Sequence, residues 1–386
     1  MHTVRVSRKA AGRVASGHPW IFASDVLDRG QAAPGDTVLV VDPNSKTLGT
    51  AHYSDSSQIT LRLLSDRAET IDRAFYLRRL ADAEAYRQRV VTNTSAYRLV
   101  HGQADRLPGL VIDRYGDYIS MQTLDQGMDR AKPEIVNAIQ EMFAPRGIVE
   151  RNDVAVRKRE NLPMQAGILA GEVPAVMGVE MNGLKLNADL VHGQKTGIFL
   201  DQRENYLAAA RYARGRALDC FTSSGGFALH MAAHCDSVEA VDSSETSLKA
   251  AELNRTTNEI ANVKFREADV FEVLAGYASA QRRFETVVLD PPAFAKSRDN
   301  LDRAARGYKE INRRALELLG SGGVLVTCSC SHHLSEAALL EIVAEASLDT
   351  GRTLRVLERR AQSQDHPILL TVPETLYLKC LILEVM

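Results

Sequence analysis

Chemistry in this chain starts with a thiol at the tip of an apolar run. Val324-Leu325-Val326-Thr327 reads as a strand, and Cys328-Ser329-Cys330-Ser331 ends it, just ahead of His332 and His333. A thiol placed where a parallel sheet opens onto its ligand crevice can act as a nucleophile. The competing reading is a small buried apolar residue, the common state of cysteine. Four acids stand upstream, Asp219, Asp242, Asp269 and Asp290, each closing a short apolar run. Between Asp219 and Phe227 the pair Gly225-Gly226 lets backbone approach a ligand, although the dinucleotide pattern G-x-G-x-x-G is absent. Asp242 follows at the distance, about 20 residues, that suits a grip on two ribose hydroxyls. Singly, each acid could be a helix N-cap. As a set at consecutive strand ends, they point to a nucleoside-bearing cofactor. Asp290-Pro291-Pro292-Ala293-Phe294 adds a stiffened exit with a carboxylate and an aromatic ring, a shelf on which a flat base could lie.

The elements that must carry these residues alternate strand and helix from about Ala188 onward. Strands are expected at 217–220, 238–241, 263–266, 286–289, 324–329, 354–359 and 377–385. Helices are expected between them, with Leu248, Ala251 and Leu253 inward on one. That pattern predicts a mainly parallel, doubly wound α/β sheet with ligands at the carboxyl ends of its strands. The preceding part reads differently. Residues 1–66 look like a small β domain whose Arg5, Arg8, Lys9 and Arg13 form a basic strand beside Trp20, the single tryptophan. Cations next to an aromatic suit a phosphate backbone with a stacked base. A helix is expected over 69–92, with Ala74, Leu77, Ala81 and Ala85 inward and Arg78, Arg79, Arg87 and Arg89 solvated. Short strands and a helix over 130–143 follow, then a hairpin turning on Asn182-Gly183. Arg151, Arg157, Lys158 and Arg159 are candidates to line a nucleic-acid groove.

Composition bounds the rest. The 386 residues are 45% hydrophobic and 25% charged with net charge −2, so any nucleic acid must be held by local patches. No apolar run is long enough for a membrane span, and Met1–Arg13 has no signal-peptide core. Five cysteines with no second ligand pair fit a reducing cytoplasm and argue against a zinc site; no metal is expected.

Five stretches together carry a resemblance that spans nearly the whole chain: 194–203, 219–227, 290–294, 306–312 and 327–331. They resemble the S-adenosylmethionine-dependent enzymes that make 5-methylcytosine in bacterial 23S ribosomal RNA. The resemblance implies a PUA-like RNA-binding domain at 1–68, a small α+β connector at 69–187 and a Rossmann-like class I methyltransferase domain at 188–386. It implies S-adenosyl-L-methionine as cofactor, surrounded by Phe221, Gly225, Asp242, Asp269 and Asp290, with Lys195, Thr196 and Gln202 nearby. Cys330 is then the nucleophile and Asp290 its catalytic partner on the base. Arg5, Arg8, Lys9, Trp20, Phe294 and Tyr308 are the RNA-facing candidates. The chemistry agrees, because cytosine C5 becomes nucleophilic once a thiolate has added at C6. Where two-cysteine relatives carry a helper thiol after the Asp-Pro motif, this chain reads Pro291-Pro292-Ala293. That leaves Cys328, Tyr308 or water to assist. The expected partner is large-subunit ribosomal RNA in the cytoplasm, with no membrane, and a homodimer is left open. Two other readings stand beside this one. A guanine-N methyltransferase of the same fold would need no Cys330, and a non-catalytic assembly factor would bind cofactor without methyl transfer.

Overall fold

The computed structural model describes residues 1–191, 193, 198–294 and 300–386. The chain forms two compact units. Unit 1 is Met1–Val179 with Ala188–Ile198 and Gln364–Thr375; unit 2 is Glu180–Asn187, Phe199–Ser363 and Leu376–Met386.

Unit 1 opens with β1 (His2–Val6), α1 (Arg8–Ala15), β2 (Trp20–Phe22), β3 (Val26–Asp28), β4 (Thr37–Val41), β5 (Thr47–Tyr53) and β6 (Ile59–Ser65). They form a six-stranded sheet in the order β2-β6-β5-β4-β1-β3 around a core of Val4, Val6, Ile21, Val38, Val40 and Leu61. The expected basic strand is a strand and then a helix. Ser7 caps α1 by accepting from the Ala10 amide at 3.1 Å, so Arg8 and Lys9 lie on a helix and only Arg5 on a strand.

Next come α2 (Arg73–Val90), β7 (Ala96–His101), β8 (Leu110–Tyr115), β9 (Tyr118–Thr123), α3 (Gln126–Arg130), α4 (Lys132–Phe143), β10 (Gly147–Asn152) and β11 (Gln165–Gly171). The last five strands here, β7 to β11, make a sheet of their own. On α2 the buried face is Phe75, Tyr76, Leu80, Ala83 and Arg87, not the alanine-lined face expected. Large aromatic rings remove far more apolar surface from water than methyl groups do, and they set the helix rotation. Arg87 is therefore not solvated. It is held by the Asp105 carboxylate and by the carbonyls of Arg98 and Asp365, each of these at 2.8 Å. Arg151 and Arg157 are buried as well. Arg157 donates to Asp129 and to the Pro163 carbonyl, and Arg151 to the Leu190 and Gly193 carbonyls. Neither lines a groove; Lys158 and Arg159 are the exposed pair. The two sheets of unit 1 are joined through buried Glu160, which accepts from Arg62 at 2.6 Å and Ser54 at 2.7 Å.

The hairpin β12 (Met177–Met181) and β13 (Leu184–Ala188) turns on Asn182 and Gly183, both at positive φ, as a two-residue Asn-Gly loop requires. Unit 2 then runs α5 (Arg203–Tyr212), β14 (Arg216–Cys220), α6 (Gly226–Met231), β15 (Ser237–Asp242), α7 (Glu245–Thr257), β16 (Val263–Glu267), α8 (Val270–Ser279), β17 (Phe284–Leu289), α9 (Leu301–Leu318), β18 (Leu319–Ser329), α10 (Glu336–Asp349), β19 (Leu354–Arg360) and β20 (Lys379–Val385). The sheet order is β16-β15-β14-β17-β18-β20-β19, parallel from β16 to β18, with β20 antiparallel between its neighbours. This is the doubly wound architecture expected. The chain order reverses between β14 and β17, and the flanking connections leave a crevice beyond the ends of those two strands. On α7, Leu253 faces out and Asn254 is buried instead, because its side chain has backbone to serve: its amide donates to the Ser224 carbonyl at 3.1 Å. Gly226 is needed at the start of α6, since a Cβ there would lie 2.4 Å from the Tyr206 ring.

Candidate active site

The crevice is built from the tips of β14, β15, β17 and β18. Asp219, the penultimate residue of β14, is fully buried. Its Oδ2 accepts from the Thr222 hydroxyl at 2.6 Å and the Ala228 amide at 3.0 Å. Its Oδ1 is buried with no hydrogen-bond partner. Burial pushes this carboxyl up to about 7, against the lowering pull of those two donors. The turn that follows is wound through left-handed backbone at Phe221, Ser223 and Gly225, φ 64°, 49° and 86°. A bulky residue at positive φ is uncommon and costs strain, which the surrounding bonds must hold. Those bonds are the Thr222 amide to Val241, the Gly225 amide to Thr222, and Asn254 to Ser224.

Asp242, at the end of β15, accepts from the Ser223 amide on one oxygen and from the Ser244 amide on the other, both at 2.9 Å. It thus ties the strained turn to its own strand end. Asp269 is exposed and accepts from the Glu272 amide at 3.1 Å, as the N-cap of α8. Asp290 follows β17. Gln202 is buried, donates to Asp290 Oδ2 at 3.0 Å and accepts from Asn205 at 2.7 Å, so two expected cofactor residues are bonded to each other. Phe294 leans on Tyr308 with ring centroids 4.7 Å apart and stands 6.5 Å from Phe221 and 6.1 Å from Phe271. Lys195 and Thr196 lie outside the described residues.

At β18 the two thiols separate. Cys328 is fully buried in the sheet, opposite Cys380 in the antiparallel register. Burial drives its thiol well above the ordinary range, which leaves it a poor nucleophile. The strand stops at Ser329, so Cys330 lies beyond it and is half-buried. Tyr308 is fully buried, and burial pushes its phenol up. Its hydroxyl meets Ser329 Oγ and Ser331 Oγ, each at 3.0 Å, on either side of Cys330. With no exposed surface, Tyr308 is placed to brace the cysteine segment, not to meet RNA. Arg5, Arg8 and Lys9 are exposed and Trp20 is half-buried, edge-on to His18 at 5.3 Å.

The sequence counts Asp219 among the four strand-end acids, but the set that the resemblance places around the cofactor leaves it out, and Lys379 is in neither. Asp219 stood at the head of a turn already singled out. Lys379 sits in an apolar strand 49 positions from Cys330, and its only signal was a lysine in an otherwise apolar run.

The donor set fits S-adenosyl-L-methionine. A buried carboxylate oxygen without a partner suits a cationic ligand group, the glycine turn leaves room for a nucleoside, and the Phe221–Phe294 pair offers an apolar wall. Among the described residues no cluster of three metal-ligating side chains occurs, and no helix is long and apolar enough to cross a membrane.

The family model for S-adenosylmethionine-dependent methyltransferases matches residues 128–382, and that for PUA-like domains matches residues 4–66. Fold and site thus define an S-adenosylmethionine-dependent methyltransferase with an N-terminal PUA-like domain. The ribosomal RNA large subunit methyltransferase I of Shigella boydii is 39% identical over 371 residues, covering 94% of each chain. The protein of that name from Escherichia coli O139:H28 gives the same identity and coverage. A crystal structure from Streptococcus mutans, described as a SAM-dependent methyltransferase, shares the fold over 100% of both chains at TM-score 0.85 and 21% identity. The chain belongs to the ribosomal RNA large subunit methyltransferase I family.

Asp219→Asn tests the cofactor reading. A carboxyl raised in the folded state stabilises the protein fully below its unfolded pKa and loses that contribution as pH rises through about 7. The amide keeps the Thr222 and Ala228 bonds without the charge. The stability of Asp219→Asn relative to wild type, read by thermal melts of the cofactor-free protein, should therefore increase between about pH 5 and pH 8. Its affinity for S-adenosyl-L-methionine at the higher pH should fall by calorimetry. Unchanged affinity would remove Asp219 from the site.

Proposed function

We propose that this methyltransferase modifies C5 of a cytosine in large-subunit ribosomal RNA, through a covalent bond between Cys330 and C6 of the base. The observation that carries the reading is the division of labour at the tip of β18: one thiol is sealed against Cys380, while the other stands past the strand end next to the strand that leads to Asp290. The names of the relatives supply the substrate class.

When bound, the cofactor supplies the methyl group. Cys330 adds to C6 and makes C5 an enamine-type carbon able to accept it. Asp290, steadied by Gln202, holds the N3–N4 edge of the cytosine and favours the adduct. Phe294 stacks on the flipped base from its support on Tyr308. A base then takes the C5 proton, the C5–C6 double bond re-forms and the thiolate leaves. Cys328 is too deeply buried to be that base. A guanine-N methyltransferase would have no use for Cys330 in this position. With domains divided at 68 and 187, the PUA-like part serves as an RNA platform, with exposed Arg5, Arg8 and Lys9 on the phosphate backbone, and the enzyme acts on ribosomal RNA in the cytoplasm.

Cys330→Ala should lower methylation of ribosomal RNA by at least about a thousandfold while leaving cofactor affinity intact, and Cys328→Ala should stay active. Mass spectrometry of the digested product should show 5-methylcytidine; an N-methylated base would reject the scheme. The RNA platform is tested separately. Arg8→Ala with Lys9→Ala should weaken RNA binding and reduce the slope of log affinity against log salt by on the order of 1.5. An equal slope would take α1 out of the interface.

A further inference from the structure

Lys379 is the first residue of β20 and pairs with Ser329, the last residue of β18. It is 3% exposed. Its Nζ donates to the Ser331 carbonyl at 2.7 Å and to the Tyr377 carbonyl at 2.9 Å. Among the described residues no carboxylate pairs with it. A buried ammonium held by carbonyls alone lacks a counter-ion, and such an arrangement is costly unless an anion is close by. Ser331 is the residue after Cys330. Burial brings the Lys379 amine down to about 8, and a charge on Cys330 would oppose that shift.

We propose that Lys379 is a positioning residue that holds Cys330 as the thiolate, ready to add to the base. The Lys379 ammonium, bonded to the carbonyl of the next residue, favours loss of the Cys330 thiol proton to solvent and leaves a thiolate opposed by a cation. When the adduct breaks down, the expelled thiolate returns to the same ammonium. The inference rests on Cys330 being the nucleophile. It explains how a cysteine at a strand tip can be reactive near neutral pH.

Three other titratable groups among the described residues face this segment, and none of them is a cation near neutral pH. Tyr308, from α9, has its phenol pushed up by burial and by the Cys330 charge, so it is neutral. His332, beyond β18, is held below its ordinary range by burial, by Lys379 and by His333. Its ring faces Tyr377, the residue two before Lys379, at 5.6 Å between centroids. Burial holds the Cys328 thiol well above its ordinary range, so it is neutral.

The test reads the thiol, not the methylated product. Wild type, Lys379→Met, Lys379→Gln and Lys379→Arg are alkylated with iodoacetamide over a pH series, and the Cys330 peptide is quantified by mass spectrometry. Wild type should react with a midpoint below that of an ordinary thiol. Lys379→Met should shift the midpoint up by about one unit or more, which is about tenfold slower alkylation near neutrality, and Lys379→Arg should restore most of the rate. Methionine replaces a buried charge with an apolar chain of similar length, so folding should survive. If Cys328 and Cys380 also become labelled, that variant has opened, and Lys379→Gln decides instead. An unchanged Cys330 midpoint in the folded neutral variant overturns the proposal. An N-methylated product accompanied by the expected shift would sink the C5 scheme and leave the ion pair standing.

Discussion

The gap between β14 and β17 governs this molecule. Their connections leave to opposite sides of the sheet, so the carboxyl ends of the two strands open onto a crevice where polar groups can meet a ligand. Asp219 and Asp290 sit at those ends. One is a carboxylate buried with an oxygen left over; the other is anchored by Gln202. A buried carboxyl pushed up to about 7 is a cost to the empty protein, and a cationic ligand group relieves it. The strained turn at Phe221–Gly225 is held over this gap by Asp242 and Asn254, which reach it from two different elements.

Much of this was legible in the sequence. The alternation of apolar strands and helices gave the sheet, and acids at successive strand ends gave the crevice, because parallel strands buried on both faces must be apolar until they leave the sheet. What could not be read was which way a residue faces once large neighbours compete. On α2, Phe75 and Tyr76 turned the helix away from its alanine face and drew Arg87 inside. On α7, Asn254 displaced Leu253 because a backbone carbonyl needed a donor. Asp269 proved to cap a helix at the surface, the alternative weighed for each acid taken alone. Basic residues were the least legible: Arg151 and Arg157 are internal ties, while Arg8 and Lys9, only a few positions from buried Val6, are exposed.

The two thiols show the same limit. Two cysteines two positions apart carry no sign of which one the sheet will bury: β18 ends between them, and the antiparallel β20 covers Cys328 while its Lys379 bonds to the Ser331 carbonyl. Tyr308, two serine hydroxyls and a lysine together fix a three-residue segment whose middle member is Cys330. None of these supports is adjacent to Cys330 in sequence except the serines, so it is the antiparallel insertion of β20 that completes the site.

A bond between Cys330 and the base can be caught directly. A ribosomal RNA fragment carrying 5-fluorocytidine cannot lose its C5 substituent as a proton, so the adduct should persist after methyl transfer. Denaturing electrophoresis should show a protein–RNA complex that forms only with S-adenosyl-L-methionine, and peptide mapping should place the nucleotide on Cys330. No trapped complex, or one mapped to Cys328, would contradict it.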